Sequence, residues 1–587
     1  MRYLRDKILH WVRLFEQTPH TFVITMAIVI GIFCGLGAAG FRYLTYFFQH
    51  LFYGPYQDYL ARIIEIPWYY KLGVPVLGGL LLGPIIYFFP NIKGHGVPEV
   101  IESVATKGGR LPPWTFILKA VGSAICIGSG GSVGQEGPIV MIGSSIGSNV
   151  GQVFRVSRQR IRTFVACGAA GGIAATFNAP IAGVIFAVEI IMGEFAVEHF
   201  TPIVFSSVIA TSISHWLVGD MPSFIVPAYE LKSAFELINY FFLGAVCAVI
   251  AVTYTNLLYK VEDYFDELAM PPYLKPALGG LGIGLLVLVY PEVSGVGYET
   301  VSSLLSGAHF TLFLLLALIF VKIAATSLSL GSGGSGGIFS PSLVIGATTG
   351  GALGYVFGYF FPEMTAPIGA YAVVGMGALV AGTTHGPLTA IIIIFEMTHS
   401  FSIIPPLMIA CIMSTLVARI LQKDSIYTMK LSRQGINIFM GREQNVLRSL
   451  LVRDVMRTDY IPVSETASFS QLLTLMSDST SFNFPVVDKK GNIRGIVSLN
   501  DIRRFFKDED YLKGLIIAKD VAIIDVISTY PDENLGDVMV KFSQLDIEEM
   551  PVVESKDSYR IIGIIRRKDV FDTYNRQLVK RELVQGR

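Results

Sequence analysis

Charged residues are scarce in this chain. Lys, Arg, Asp and Glu make up 15% of its 587 residues, and the two signs balance to a net charge of zero. An average soluble domain contains about 25% charged residues, so the deficit indicates a protein that lies largely in lipid. The zero net charge gives no reason to expect a nucleic-acid partner. Charges are sparse from Thr18 to Leu421 and dense from Lys430 onward, which predicts a membrane part followed by a soluble part.

Cysteine is rare as well, and its five copies all lie inside apolar segments: Cys34, Cys126, Cys167, Cys247 and Cys411. Cysteines in such surroundings behave as small buried hydrophobic residues. We therefore expect neither disulfides nor a metal site. A catalytic triad, a phosphate-binding loop and a cluster of metal ligands are also missing from the sequence, so an enzyme is not expected.

Long apolar runs are what the chain has in abundance, with 52% hydrophobic residues. A helix needs about 20 apolar residues to cross the hydrocarbon core. Runs that predict such helices are Phe22–Phe48, Tyr240–Leu258, Phe310–Val321 with its flanks, and Tyr371–Phe395. Four basic residues precede the first run, which favours a cytoplasmic N-terminus, and no cleavable signal peptide is predicted. We expect an integral multi-pass protein of the plasma or inner membrane.

Two segments of the apolar part resemble each other. Gly128–Gly151 reads GSGGSVGQEGPIVMIGSSIGSNVG, and Gly331–Gly354 reads GSGGSGGIFSPSLVIGATTGGALG. They align without a gap at an offset of 203 residues, which also relates Lys119 to Lys322. Glycine-rich packing segments can look alike by composition alone, but the shared order, spacing and lysine favour a true repeat.

A second pair of segments supports the repeat. Thr176–Glu189, TFNAPIAGVIFAVE, aligns with Thr383–Glu396, TTHGPLTAIIIIFE, at an offset of 207 residues. The membrane part is therefore predicted to consist of two related halves, residues 22–220 and 237–421. Repeated halves are typical of transporter folds, whose binding sites lie near the membrane midplane where helices are broken.

The repeated glycine clusters, each followed by a proline, predict helix breaks at membrane depth. Non-helical backbone survives there only where it lines a cavity or is buried in protein. Helix N-termini at such breaks offer free N–H groups and a positive dipole end, which suits an anion. Lys119 and Lys322 would add a positive background potential, unless their side chains extend instead to the lipid headgroups.

Four separated motifs, together with EMT at Glu396–Thr398, carry a family resemblance. They are GHGVP at Gly94–Pro98, GQEGP at Gly134–Pro138, GIFSP at Gly337–Pro341, and Tyr427 within SIYTMKL. In this order they resemble the motifs of the CLC family of chloride channels and proton-coupled anion exchangers. The resemblance implies a polytopic all-α membrane domain of two inverted repeats with broken helices. It also implies a homodimer with one anion path in each subunit.

Residue roles follow from the same resemblance. The backbone N–H groups of Ile338 and Phe339 and the hydroxyl of Tyr427 would bind the central anion. Glu136 would be the gating glutamate, whose carboxylate occupies the path until it is displaced or protonated. A lone carboxylate at membrane depth is costly unless it has a function, although a helix-capping role is the alternative. His95 stands where the family has a serine, so it would either contact the anion or point away.

A further departure concerns proton coupling. Ile190 occupies the position at which the exchangers keep their internal proton-transferring glutamate. Glu189 is one residue early and faces another direction on a helix, and Glu194 lies one turn beyond; both are candidates for a proton path. We therefore favour a channel over an exchanger with a different proton route. A divalent-cation channel is disfavoured because cation pores use rings of carboxylates and Asp is nearly absent from the membrane part.

After the membrane part, two similar modules resemble a CBS-domain pair. The first contains RDVM at Arg453–Met456, FPVVD at Phe484–Asp488 and GIVSLND at Gly495–Asp501; the second contains KDV at Lys519–Val521, MPVVE at Met550–Glu554 and GIIRRKD at Gly563–Asp569. The resemblance implies that Ser498, Asp501 and Asp569 can contact the ribose and phosphate of an adenine nucleotide. A nucleotide-free dimerisation module is the alternative.

The predicted organisation is as follows: a cytoplasmic N-terminal segment 1–21, a CLC-like transmembrane domain 22–431, a linker 432–448, an α/β CBS pair 449–575 (modules 449–506 and 516–575) and a tail 576–587. The expected partners are chloride or a similar small anion, membrane lipid and a second copy of the chain. No cofactor is expected to be required; the resemblance implies only that the CBS pair can bind an adenine nucleotide.

Overall fold

The computed structural model describes residues 19–219, 224, 232–233, 235–307, 310–436, 447, 450–479, 483–498, 501–502, 516–545, 547–555 and 558–585. Residues 1–18 of the predicted N-terminal segment and most of the predicted linker lie outside the described residues. The chain divides into two compact units between Gln434 and Gly435.

The membrane unit is built from helices in two consecutive sets. The first set is α1 Pro19–Tyr53, α2 Tyr59–Glu65, α3 Trp68–Phe88, α4 Val97–Thr106, α5 Thr115–Gly128, α6 Glu136–Val153, α7 Arg158–Phe177, α8 Pro180–Phe186 (continued as a π-helix, Ala187–Met192) and α9 Val197–Val218. The second set is α10 Glu236–Glu267, α11 Lys275–Val289, α12 Tyr298–Leu305, α13 Leu312–Gly331, α14 Phe339–Phe360, α15 Ile368–Thr384, α16 Pro387–Thr398 and α17 Ile404–Leu421, followed by α18 Thr428–Arg433. Within the described part of the chain, eight helices are long and apolar enough to cross a membrane.

The helix boundaries follow the predicted repeat. Helices α5 and α13 end at Gly128 and Gly331, and helices α6 and α14 begin at Glu136 and Phe339, so both pairs are 203 residues apart. The glycine clusters between them form the loops that interrupt the helices. Each cluster therefore ends one helix and exposes the N-terminus of the next, as the sequence predicts.

The run Tyr371–Phe395 is an exception to the predicted spans. It does not form one helix, because α15 ends at Thr384. The next residue, His385, adopts a left-handed conformation with φ 58°, and α16 begins at Pro387. A proline at the first helical position has no N–H to continue the preceding helix. The first half breaks in the same way between Asn178, also at φ 58°, and Pro180.

Neighbouring helices pack at backbone distance in both halves of the membrane unit. A Cβ atom built on Gly143 would overlap the carbonyl oxygen of Gly168, and one built on Gly346 would lie 2.4 Å from the carbonyl oxygen of Gly375. Glycine is therefore required at these crossings, because any larger residue would separate the helices. All five cysteines are buried and free among these helices.

The C-terminal unit has two small sheets. Strand β1 Val463–Ser464 pairs in parallel with β2 Asn483–Val487, which is antiparallel to β3 Ile493–Ser498; β4 Glu549–Val553 is antiparallel to β5 Ile561–Arg566. The described helices are α19 Phe469–Asp478, α20 Ala518–Val521, α21 Leu535–Leu545 and α22 Arg567–Gln585. Each sheet has its own buried core, and a third cluster around Ile493, Val553 and Ile561 joins the modules.

Candidate functional site

Glycine loops from both halves pair with each other at the centre of the membrane unit. Gly134 and Gly337 exchange backbone N–H···O bonds of 2.7 and 2.6 Å. The Gly94 N–H donates to Gly334 at 2.9 Å, and the Gly336 N–H donates to the carbonyl of Gly94 at 3.3 Å. Three of the sequence motifs, GHGVP, GQEGP and GIFSP, are thereby brought into contact.

Glycine is essential where these loops meet. A Cβ atom on Gly137 would overlap the carbonyl oxygen of His95, and a Cβ atom on Gly134 would overlap the Oε2 atom of Glu136. Gly96 has a φ of 84°, in the left-handed region that favours glycine. The motif glycines thus make room for the glutamate and bend the chain into the start of α4.

Glu136 is the first residue of α6 and its side chain is 1% exposed. Its carboxylate lies at the N-terminus of α14, in the other half, where the Ser340 N–H donates to Oε2 at 3.3 Å. The Tyr298 hydroxyl donates to Oε1 at 2.9 Å, and the Ser340 hydroxyl also donates to Oε1. A carboxylate therefore occupies the position at which helix N–H groups would receive an anion.

Tyr298 and Ser340 were not among the residues predicted for the site. Ser340 lies within the GIFSP motif, but only the backbone of that motif was assigned a role. Tyr298 follows the sequence GVG, which the structure pairs with the GHG of the first half: Gly295 and Gly297 have φ values of 63° and 90°, close to the 80° and 84° of Gly94 and Gly96. An offset of 201 residues relates the two loops, and this signal was present in the sequence.

His95 and Tyr427 lie side by side. Their ring centroids are 6.0 Å apart, and the side chains are 4% and 3% exposed. The Nδ1 atom of His95 is buried and has no hydrogen-bond partner among the described residues. A polar atom in this position is costly unless it binds something, so the ring is available to a ligand from the site.

The predicted backbone donors of the second half begin α14. Ile338 is the residue before the helix and Phe339 is its first residue. The N–H groups of the first turn have no acceptor within a helix. Both residues are buried, at 1% and 2% exposure, so their N–H groups face the interior of the unit rather than lipid.

Lys119 and Lys322 are fully buried, which excludes the alternative in which they extend to the headgroups. The Lys119 ammonium donates to the carbonyls of Ile92 and Gly94 at 2.9 and 2.6 Å. The Lys322 ammonium donates to the carbonyls of Val293 and Gly295, both at 3.1 Å. Each lysine therefore holds the loop before α4 or α12 in place.

Glu189 has a symmetric counterpart in Glu396. The Glu189 carboxylate accepts the Thr389 N–H at 2.7 Å and the Thr389 hydroxyl at 2.6 Å, at the start of α16. The Glu396 carboxylate accepts the N–H groups of Ile181 and Ala182 at 3.0 and 2.6 Å, at the start of α8. Each carboxylate thus caps the helix that carries the other.

Ile190 and Glu194, the other two positions considered for a proton path, do not act as helix caps. Ile190 packs against Gly386, where a Cβ atom would lie 3.0 Å from the isoleucine Cδ1. Glu194 is half exposed and forms an ion pair of 3.6 Å with Arg162. Neither residue is in contact with Glu136.

A partly buried ion pair lies next to the His95 loop, and the sequence does not predict it. The Lys430 ammonium, one turn beyond Tyr427, donates to Glu99 Oε1 at 2.6 Å. The second oxygen of Glu99 is buried and lacks a partner among the described residues. A titratable carboxylate therefore lies on the Tyr427 side of the site.

In the C-terminal unit, the predicted nucleotide-binding residues Ser498 and Asp501 form a local turn, whereas Asp569 lies near a residue that is distant in sequence. The Asp501 carboxylate accepts the N–H and hydroxyl of Ser498 at 2.9 and 2.6 Å, and Asp569 Oδ2 lies 3.9 Å from a guanidinium nitrogen of Arg457. At the turn between β2 and β3, the backbone N–H of Asn492 and neighbouring donors lower the pKa of Asp488 to about 2.

Comparisons with known proteins bear on the whole chain. Residues 78–419 match the family model of the voltage-gated chloride channel, and residues 452–508 and 518–576 match the CBS domain. The chain is 35% identical over 417 residues to a putative chloride channel protein, ClcB-like, of Ralstonia nicotianae. The alignment covers 70% of this chain and 97% of the relative.

Solved structures extend this likeness. A slow cyanobacterial Cl⁻/H⁺ antiporter is 29% identical, with a TM-score of 0.64 over 70% of this chain and 97% of its own. A eukaryotic CLC transporter matches 96% of this chain and 98% of its own with a TM-score of 0.61; at 19% identity it is evidence of fold alone. The predicted fold, with inverted repeats and a CBS pair, and the predicted transport of a small anion are confirmed.

Proposed function

Since the chain belongs to the voltage-gated chloride channel family, we propose that it is a passive channel for chloride or a similar small anion, gated by Glu136. The observation that carries the gating role is the position of the carboxylate at the N-terminus of α14, within reach of the Ser340 N–H and two hydroxyls. A carboxylate there competes with an anion for the helix N–H groups at the start of α14.

The path follows from the order of the donors. An anion that displaces Glu136 takes over the N–H groups at the start of α14, where Ile338 and Phe339 lie. The Tyr427 hydroxyl and the His95 ring come next. Lys119 and Lys322 are already bound to backbone carbonyls, so they attract the anion without trapping it. Neutral donors replace its hydration, and weak binding lets it leave.

The channel is favoured over the exchanger by the residues of the predicted proton path. A relay needs titratable groups between the cytoplasm and Glu136, because a proton does not cross hydrocarbon unaided. Ile190 cannot hold a proton, the Glu189 carboxylate is bound at a helix N-terminus, and Glu194 is paired with Arg162.

Liposomes that hold high chloride in a low-chloride bath test this proposal. Chloride efflux is followed with internal pH while the voltage is clamped with valinomycin and potassium. We expect efflux without uphill proton movement, and Glu136→Gln should keep efflux while losing its pH dependence. Sustained proton uptake that disappears in Glu136→Gln would refute the channel.

An exchanger is the second candidate, and Glu99 favours it. This carboxylate is 21% exposed, its second oxygen is buried without a partner among the described residues, and it lies beside the His95 loop on the Tyr427 side. The likeness to an antiporter points in the same direction. If the liposomes show coupled protons, Glu99→Gln distinguishes the routes: loss of proton movement with retained anion flux assigns Glu99 as the inner station.

His95 is proposed to contribute to the choice of anion. Its buried Nδ1 lacks a partner among the described residues, and the ring lies next to Tyr427. His95→Ser, measured with chloride, nitrate and fluoride in parallel, should change the relative fluxes. Equal relative fluxes in the variant and the parent would place the ring outside the path.

The assembly and its membrane belong to the same proposal. We expect a homodimer with one path in each subunit, embedded in the plasma or inner membrane with the CBS pair in the cytoplasm. Basic residues near both ends of the membrane unit, among them Arg13 and Arg433, support a cytoplasmic location by the positive-inside bias. Crosslinking in vesicles tests the dimer, and protease access to the C-terminal unit tests the orientation.

An adenine nucleotide is proposed to bind at the CBS pair. Ser498 and Asp501 form a turn with a hydroxyl and a carboxylate, while Arg566 replaces the hydroxyl in the second module and pairs with Glu549 at 2.7 Å. Calorimetry on the full chain with millimolar ATP, ADP and AMP tests this. We expect heat that is lost in Asp501→Ala, and heat that persists in that variant would place the nucleotide elsewhere.

A further inference from the structure

We propose that the hydroxyl groups of Tyr298 and Ser340 form a latch that holds Glu136 in the anion path and sets the pH at which the path opens. The inference rests on the proposed gating role of Glu136 and adds two positioning residues to it. Neither residue was assigned a role from the sequence.

The three side chains form a closed triangle of oxygen atoms. Tyr298 donates to Glu136 Oε1 at 2.9 Å, Ser340 donates to the same oxygen, and the two hydroxyls lie 3.0 Å apart. Glu136 is 1% exposed and Ser340 is fully buried. The carboxylate and the Ser340 hydroxyl are therefore shielded from bulk water, and we expect the loss of one donor to leave the carboxylate with fewer hydrogen bonds.

The latch is fixed by the fold rather than by the glutamate. Tyr298 is the first residue of α12, follows Gly297 at φ 90°, and packs edge-on against Phe224 with ring centroids 5.3 Å apart. Ser340 lies in the first turn of α14. Both hydroxyls stay in place when the Glu136 side chain swings away, so opening breaks both contacts.

The repeat shows that these hydroxyls are not needed for packing. The residue equivalent to Tyr298 in the first half is Val97, at the start of α4, and the residue equivalent to Ser340 is Gly137. The same loops and helices therefore form in the first half without either hydroxyl. Only the end of the path that contains Glu136 has them.

The chemical consequence is a shift in the pH of opening. Hydroxyl donors stabilise the ionised carboxylate more than its protonated form, so they favour the closed, charged gate. Without one donor the carboxylate is protonated or displaced more easily. Each hydroxyl is expected to shift the pH of half-maximal flux by about one unit, which corresponds to roughly a tenfold change in proton concentration.

Chloride flux in liposomes as a function of pH tests the latch. Ser340→Ala and Tyr298→Phe should each move half-maximal flux to higher pH by about one unit, and Ser340→Thr, which keeps a hydroxyl, should restore the parent profile. Flux at acidic pH, where the gate is protonated, should equal that of the parent and so shows that the variants are folded.

Matched controls remove buried hydroxyls elsewhere. Ser206→Ala removes a hydroxyl that donates to the Cys167 carbonyl at 2.8 Å, and Tyr371→Phe removes one that accepts from Asn239 at 3.1 Å. Both should keep the parent profile.

The outcomes separate the latch from the gate. If Glu136→Gln is still activated by acid, the gating role is wrong and the latch is refuted with it. If Glu136→Gln loses acid activation while Ser340→Ala and Tyr298→Phe keep the parent midpoint, the gate stands and the latch is refuted. A midpoint shift of equal size in the control variants would also refute it.

Discussion

Glu189, a candidate for the proton path, and Glu396 form reciprocal helix caps. Because the two contacts are equivalent, the same substitution in each residue tests whether Glu189 has a role beyond capping. Glu189 caps α16 and Glu396 caps α8. Glu189→Gln and Glu396→Gln keep the size of each side chain but remove its charge and one of its acceptor oxygens. We expect both variants to lose stability by similar amounts and to leave the ratio of protons to anions unchanged.

The size of the effect follows from the contacts. A hydrogen bond to a charged group contributes about 1.5–3 kcal/mol, and an acidic side chain at a helix N-terminus adds up to about 1 kcal/mol. Because the amide still accepts one bond, each variant should lose about 2–3 kcal/mol. At about 2.1 cal/mol/K per residue over roughly 400 residues, this corresponds to a Tm that is about 2–4 °C lower.

Thermal unfolding in detergent and coupled chloride and pH recordings in liposomes measure both quantities. Each variant is the control for the other, since they lie at equivalent positions of the two halves. If Glu189→Gln kept the parent Tm and changed proton movement while Glu396→Gln did not, Glu189 would be a proton station and the capping argument would be wrong.

Three further predictions concern the gate, the buried lysines and the C-terminal unit. Gly134→Ala should mimic loss of the gate, with flux that no longer depends on pH, because the new Cβ overlaps Glu136 Oε2; Gly40→Ala, with nothing within 4 Å, should retain the pH dependence. Lys322→Met should lower stability by about 3 kcal/mol, since two buried carbonyls lose their donor, and should reduce anion flux; an unchanged Tm would contradict the buried contacts. The pKa of Asp488 is lowered from 3.8 to about 2, so its contribution to stability is present above pH 4 and is lost as the pH falls towards 2. Hydrogen exchange of β2 and β3 should therefore differ between the parent and Asp488→Asn at pH 6 and converge near pH 2; a difference independent of pH would contradict this.

The repeat could be predicted from the sequence because its matching positions have roles that restrict the residue type. Glycine clusters, the following proline and the lysine recur at one offset, and each has a backbone or charge role that constrains the residue type. The match between Gly94–Pro98 and Gly295–Glu299 escaped notice because only the two glycines and their left-handed conformations are shared. Sequence shows the glycines there, while the shared conformation is visible only in the structure.

Side-chain partners were the part that sequence did not supply. The motif predicts a role for Glu136, but Tyr298 is 162 residues away and reaches it only through the pairing of the two halves. The sequence predicts no role for Glu396 within the EMT motif. Its contacts are with a helix of the other half, and such contacts leave no recognisable residue spacing in the sequence. The run Tyr371–Phe395 is predicted as one span because both of its helices are apolar, so hydropathy alone does not show the break at His385.

The shared backbone pairing of the two halves has a consequence for how fast the protein works. Four N–H···O bonds join the loops at Gly94 and Gly134 to the loop before α14. Rocking one half against the other would break them together in an interior poor in water, where each unpaired amide costs several kcal/mol. In the proposed channel the scaffold therefore stays intact during conduction, and only the Glu136 side chain moves. Rotamer changes take place far faster than the microsecond-to-millisecond movements of whole domains, so we expect the rate of opening to be set by the release of that carboxylate.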